Sequence, residues 1–228
     1  MGYIVHSILH LSVGACITYV LLNKHYNSMA KRSLVLFIGG FAGISPDITK
    51  FLGELYGHSL LSVPIIGLLI MLITRKLFLG ISVIKLWIVL SFSVLSHIFI
   101  DYIGNGVALL YPFVTKEYGF HIIHDELFLY ILSIASIIAI FYRKGKLVIL
   151  SSLLIVALYL GILSYSKIQL HQTLKSKYQE HEITLLSIYP RWDKRWEFMI
   201  RTDEQSIIGS ASIFGRDIQI EREREWND

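Results

Sequence analysis

The sequence predicts an all-α polytopic membrane domain followed by a small antiparallel β tail. Three observations carry that expectation. Of 228 residues, 54% are hydrophobic and 17% charged, and the mean hydropathy is +0.58, too apolar for an ordinary soluble domain. The apolar residues are gathered into long runs separated by short, mostly basic loops. Beyond about residue 166 the runs shorten and take on strand composition. The boundaries are therefore 1–166 for the membrane domain and 167–228 for the tail. The formal net charge of +4 is scattered through loops rather than gathered in one patch, which argues against a nucleic-acid partner. A single cysteine, Cys16, excludes an intrachain disulfide and a cysteine-built zinc site. No Lys or Arg precedes the first apolar run, so it does not read as a cleavable signal peptide.

Six membrane segments are expected, at about residues 4–22, 34–44, 60–73, 84–103, 127–142 and 147–164. Pro46 stops the second. The second, third and fifth fall below the roughly 20 residues of a full span. Lys24, Lys31, Arg32, Arg75, Lys76, Lys85, Arg143, Lys144 and Lys146 occupy one set of loops, and only Lys50 and Lys116 the other. Nine basic residues against two put both the N-terminus and the tail outside. The six acids before the tail agree: Asp47, Glu54, Asp101, Glu117, Asp125 and Glu126 all fall at or beyond the outer end of a segment. His10 and His97 each lie about six residues inside that end, roughly 9 Å deep at ~1.5 Å per residue. In the tail, residues 167–180 read as a short helix or linker. Strands are expected at 183–189, 196–202, 206–214 and 218–220, with a turn at Thr202–Gln205. The alternating Glu221-Arg222-Glu223-Arg224-Glu225 reads as a solvated end.

Four groups can carry chemistry. His97 and Asp101 are four residues apart, hence on one helical face, in an apolar run where ionisable groups are expensive. They suit zinc, or less selectively manganese or iron; alternatively they pair with each other and help pack the bundle. Pro46 breaks the helix and presents Asp47 at its end, with His58-Ser59 eleven residues on; here a cap and an interfacial side chain are the simpler readings. His6 and His10 share a face of segment one, where either can ligate or orient the other. Gly14, Gly39, Gly40 and Gly43 read as helix packing. His121, His124, Asp125 and Glu126 open segment five, where an acid also favours a helix N-terminus. Lys50, Tyr56 and Asn105 are weaker candidates for substrate contacts. There is no phosphate-binding loop, nucleophile elbow or HExxH.

In order, His10-x3-Gly14, Pro46-Asp47, His58-Ser59, His97-x3-Asp101, Gly106 and Tyr111-Pro112, with Asp125 opening the next helix, resemble the bacterial inner-membrane-associated metal-dependent hydrolases, some described as LexA-binding. The motifs span about residues 6–130, and Tyr189-Pro190 and Trp196 look like the tryptophan-bearing extension of some members. The chain departs from the fuller pattern at Ile48 and Thr49, where a second acid often stands, and at Gly57-His58, where the fuller pattern has an arginine after the histidine. The resemblance therefore does not extend to a second metal or an anion-clamping arginine.

It implies a hydrolase holding a divalent metal, with zinc expected ahead of manganese or iron. His10, His58 and His97 would supply nitrogens and Asp47 and Asp101 oxygens. One of Asp47, Asp101 or Asp125 would act as base, and His6, His124 and Ser59 would stand behind the ligands or toward substrate. A site at the membrane boundary suggests a lipid-linked or phosphoester substrate. The rival readings are non-enzymatic: a transporter, a metal-binding accessory, or a partner-binding protein.

Overall fold

Helices take up the apolar runs and end where the sequence supplies caps and breakers. The computed structural model describes residues 3–22, 28–51, 55–123, 127–213 and 217–225. The helices are α1 (Tyr3–Leu22), α2 (Met29–Ile44), the short α3 (Asp47–Phe51), α4 (Ser62–Thr74), α5 (Val83–Ile103), α6 (Leu127–Phe141) and α7 (Gly145–Lys177). Ser28 and Ser82 cap α2 and α5 by accepting from Lys31 N and Lys85 N. Pro46 ends α2, and the chain restarts at Asp47 as a single short helix.

Among the described residues three helices, not six, are long and apolar enough to cross a membrane: Ile4–Leu22, Val83–Ile103 and Gly145–Lys177. The expectation of six fails on length. α2, α4 and α6 have 16, 13 and 15 residues, roughly 20–24 Å at ~1.5 Å per residue against a hydrocarbon core of about 30 Å.

The chain clusters into two compact units, Met1–Phe120 with Glu126–Ile155, and His121–Asp125 with Val156–Asp228. In the first, α1 and α2 are in backbone contact: a Cβ added at Gly14 would lie 2.5 Å from Gly39 O and 2.7 Å from Gly43 Cα. The expected small-residue packing is therefore real. His10, Gly14 and Thr18 on α1 meet His97 and Ser93 on α5 in reverse order, so these helices are antiparallel. Ser12, Cys16 and Tyr19 meet Ser133, Ser136 and Ala139 O of α6 in the same order, so those two are parallel. One end of this bundle thus gathers the start of α1, the end of α2, α3 and the end of α5. The other end holds Arg32, bonded to Tyr142 O, and Arg75, bonded to Ile81 O. Phe37, Leu72, Ile73 and Phe92 are exposed on helix surfaces, as hydrocarbon contact requires.

In the second unit four strands, β1 (Ile183–Pro190), β2 (Arg195–Thr202), β3 (Gln205–Ser212) and β4 (Ile218–Glu225), form an antiparallel meander in chain order. One face buries Trp196, Phe198, Ile200, Ile207 and Ala211. Trp196 Nε1 donates to Ser166 Oγ at 2.9 Å, and Lys167 Nζ to Ile188 O at 2.7 Å, which anchors the sheet on α7. The expected turn stands, with Thr202 Oγ1 accepting from Gln205 N at 3.0 Å. One expectation is corrected: residues 167–177 are the last turns of α7, not a separate element, because nothing there breaks a helix. The Glu-Arg alternation is solvated as expected, and it also extends the last strand beyond residue 220 as part of β4, with Glu223 paired to Ile207 and Glu225 to Gln205. An edge strand solvated on both sides can pair its backbone whatever its side chains.

Candidate metal centre

Six ionisable side chains meet at the gathered end of the first unit: His6 and His10 from α1, Asp47 from α3, His58 from the 3-10 turn Tyr56–His58, and His97 and Asp101 from α5. None is more than 7% exposed. Local chemistry places each one. The Pro46 break turns Asp47 inward. Thr49 Oγ1 donates to Pro46 O at 2.9 Å and accepts from Gly57 N at 3.2 Å, which ties the next turn to the break. A Cβ at Gly57 would lie 2.5 Å from Thr49 Oγ1 and 2.6 Å from Pro46 O, so any larger residue would lift His58 away from Asp47. On α5 the four-residue spacing sets His97 directly before Asp101.

His97 Nδ1 donates to Gly43 O at 2.9 Å. That bond fixes the tautomer and leaves Nε2 a bare lone pair directed into the cluster. There it lies 3.1 Å from His58 Nε2, 3.3 Å from Asp101 Oδ2 and 3.6 Å from Asp47 Oδ1. His58 Nε2 is 3.2 Å from Asp47 Oδ1 and 3.6 Å from Asp101 Oδ2. These are five of the six separations among four donors. With metal–ligand bonds of ~2.0–2.1 Å, a tetrahedral zinc site has edges of about 3.3 Å.

Asp101 Oδ1 faces the other way. It accepts from His6 Nε2 at 2.8 Å and lies 3.4 Å from His10 Nε2. The latter contact is at ion-pair distance but off hydrogen-bonding geometry, and neither ring nitrogen of His10 has a hydrogen-bond partner. The His10 ring stacks on His97 at 3.7 Å between centroids.

Electrostatics suit ligation. Burial raises the Asp47 carboxyl, but the hydrogen bond from His58, with His97 and Lys50 beside it, outweighs burial and brings it down to about 2. Burial lowers His58 against the opposing bond to Asp47, which keeps the ring neutral, the form that binds a metal. Lys50 Nζ is 3.4 Å from Asp47 Oδ1 and 3.9 Å from Asp101 Oδ2, with its side chain 38% exposed.

The donor set passes a test of fit for a divalent ion. Three groups of three donors each fall within 4.8 Å: His6, His10 and Asp101; His10, Asp47 and His97; His58, His97 and Asp101. Four buried atoms, His10 Nδ1 and Nε2, Asp47 Oδ2 and His58 Nδ1, lack hydrogen-bond partners, an expensive arrangement that an ion would relieve for some of them. Of the residues singled out in the sequence, His6, His10, Asp47, His58, His97 and Asp101 come together, with Lys50 beside them. Asn105 lies at the edge, its Nδ2 3.4 Å from His6 Nε2. Ser59 is buried next in chain to His58, with its hydroxyl directed to Tyr56 O at 3.5 Å, not to the cluster. His124 and Asp125 lie outside the described residues. The Gly43 carbonyl was not foreseen, because a backbone acceptor leaves no residue signature beyond the glycine itself.

The family model for the YdjM inner membrane protein matches residues 5–170, a stretch containing all six cluster residues. No curated protein and no solved structure matches the chain.

Proposed function

The chain belongs to the YdjM inner membrane protein family, and from that premise we propose that the buried cluster is the metal centre of a membrane-bound hydrolase. The observation that carries this reading is the set of five separations, 3.1–3.6 Å, among His58 Nε2, His97 Nε2, Asp47 Oδ1 and Asp101 Oδ2. His10 adds a fifth, hydrogen-bond-free donor beside them. Imidazole and carboxylate together favour zinc, with manganese or iron as alternatives. Such an ion is a Lewis acid that polarises a phosphoryl or acyl oxygen and makes water nucleophilic at neutral pH.

The protein's own groups do the rest. His97, locked by the Gly43 carbonyl, holds the donor set in shape. Asp47 directs Oδ1 into the set and keeps Oδ2 without a hydrogen-bond partner, in position to take a proton from an attacking water. Asp101, with both oxygens engaged, is the poorer base. Lys50 sets the charge. Two carboxylates, a divalent ion and one ammonium sum to a single positive charge, which suits a phosphoester. The loop asymmetry places the site toward the outer face, where a lipid-linked phosphoester would reach it.

The test is metal content and turnover of the full chain purified in detergent. Zinc is expected to bind, and a chromogenic phosphoester to be hydrolysed until a chelator removes the ion. His97→Ala and Asp101→Ala are expected to lose metal while remaining monodisperse. Full metal in both variants would make the cluster a packing device.

A further inference from the structure

Asp101 has two oxygens, and they serve two different sets of donors. Oδ2 faces His58 Nε2 at 3.6 Å and His97 Nε2 at 3.3 Å. Oδ1 faces His6 Nε2 at 2.8 Å and His10 Nε2 at 3.4 Å. We propose that the site is dinuclear: a second divalent cation sits among His6, His10 and Asp101 Oδ1, and Asp101 bridges it to the ion held by His58, His97 and Asp47. The inference rests on the metal-centre reading above and extends it from one ion to two.

His10 is completely buried, and among the described residues neither of its ring nitrogens has a hydrogen-bond partner. A buried imidazole with two unmet nitrogens is rare, because an unmet buried polar atom is costly. The four-donor set of His58, His97, Asp47 and Asp101 leaves it out. The donor left nearest to it is Asp101 Oδ1, shared with His6. His6 and His10 stand one helical turn apart on α1, with rings perpendicular at 4.4 Å, so their nitrogens converge on that oxygen instead of stacking side by side. The three donor atoms fall within 4.8 Å of one another.

Without an ion, His6 can bond to Asp101 Oδ1 only by keeping a proton on Nε2. Binding a cation through Nε2 requires the other tautomer, with that proton on Nδ1. Three protein ligands leave coordination positions open, the arrangement of a catalytic ion. The amide of Asn105 lies at the edge of the three-ligand set. Paired ions linked by a carboxylate are a recurrent device for phosphoester cleavage, with one ion on the attacking oxygen and one on the leaving oxygen. A single carboxylate whose oxygens face two imidazole pairs is the ligand such a pair needs.

The experiment counts ions. The full chain in detergent is stripped with chelator, dialysed against zinc, and its zinc measured per chain. The expected result is two for the wild type, one for His6→Gln and for His10→Gln, and none for Asp101→Asn. Manganese supplies a readout that does not depend on activity. Two bridged ions give an exchange-broadened paramagnetic resonance spectrum, which should revert to that of an isolated ion in His6→Gln. One zinc per wild-type chain overturns the second site and leaves the first. Two zincs that persist in both histidine variants overturn the assignment to these residues. No zinc at all sinks both sites.

Discussion

The His97 side chain shows how a site is specified one atom at a time. Its neighbour four residues on, Asp101, is legible from spacing alone, and so is their shared face. What suits it to the proposed ligand role is the bond from Nδ1 to Gly43 O at 2.9 Å, and that partner is a backbone atom 54 residues away in sequence. His97→Gln keeps a polar group but not the fixed nitrogen, and should weaken zinc binding more than 100-fold, beyond the 10–100-fold typical of supporting residues. Isothermal titration in detergent reads this directly. Lys50 belongs to the same scale. Its ammonium contacts both carboxylates, where the sequence marks it only as a weaker candidate for a substrate contact. Lys50→Met should leave zinc content unchanged and weaken inorganic phosphate binding to the loaded protein by roughly 10–100-fold, the range of a charge-assisted hydrogen bond. Lys50→Arg should restore most of it. Unchanged phosphate affinity in Lys50→Met would remove Lys50 from substrate recognition.

Elements decide whether those atoms meet. α1 and α2 touch through glycine, and the Gly39-x3-Gly43 spacing announced that contact. The lengths were less legible. Hydropathy marks where apolar runs lie but not whether a run crosses, because a short helix can bury its ends inside protein. α2 does this at its C-terminal end: it stops at Pro46, and the return through α3 and the 3-10 turn carries Asp47 and His58 into the bundle. The same break that shortened a supposed span built the site. The two sides of α2 give a comparison. A Cβ at Gly43 would overlap the His10 carbonyl oxygen, which is backbone and cannot yield, whereas at Gly40 it would lie 3.0 Å from Leu11 Cγ and 3.1 Å from Leu11 O, a smaller overlap. Gly43→Ala should therefore destabilise by about 1–3 kcal/mol, as overpacking does, and lower zinc affinity as well, because it displaces the acceptor of His97. Gly40→Ala should be milder on both counts. Thermal unfolding in detergent, with and without zinc, checks both; equal losses would mean that the α1–α2 approach does not position the site.

At the scale of the molecule, the basic loops and the cluster occupy opposite ends of the first unit, and this was readable in the sequence because both signals are matters of residue type and position. The count of spans was not, so orientation now has to rest on the ends of the bundle. Arg32 and Arg75 mark one end. The loop that follows α5, where Gly106 N returns to Asp101 O at 2.8 Å, marks the other. We propose from the positive-inside rule that the arginines face the cytoplasm and the cluster the outside. Two exposed positions report on the two ends: Phe113 in the cluster-side loop, 83% exposed, and Leu79 between α4 and α5, 80% exposed. Cys16 is buried and can be changed to serine to clear the background. In intact cells an impermeant maleimide should label Phe113→Cys at once and Leu79→Cys only after permeabilisation. Gln205→Cys, in the turn between β2 and β3, should behave like Phe113→Cys if the tail is also outside. Labelling of Leu79→Cys in intact cells, with Phe113→Cys protected, would turn the protein over. The centre would then face the cytoplasm, and a lipid-linked substrate would have to be met on the inner leaflet.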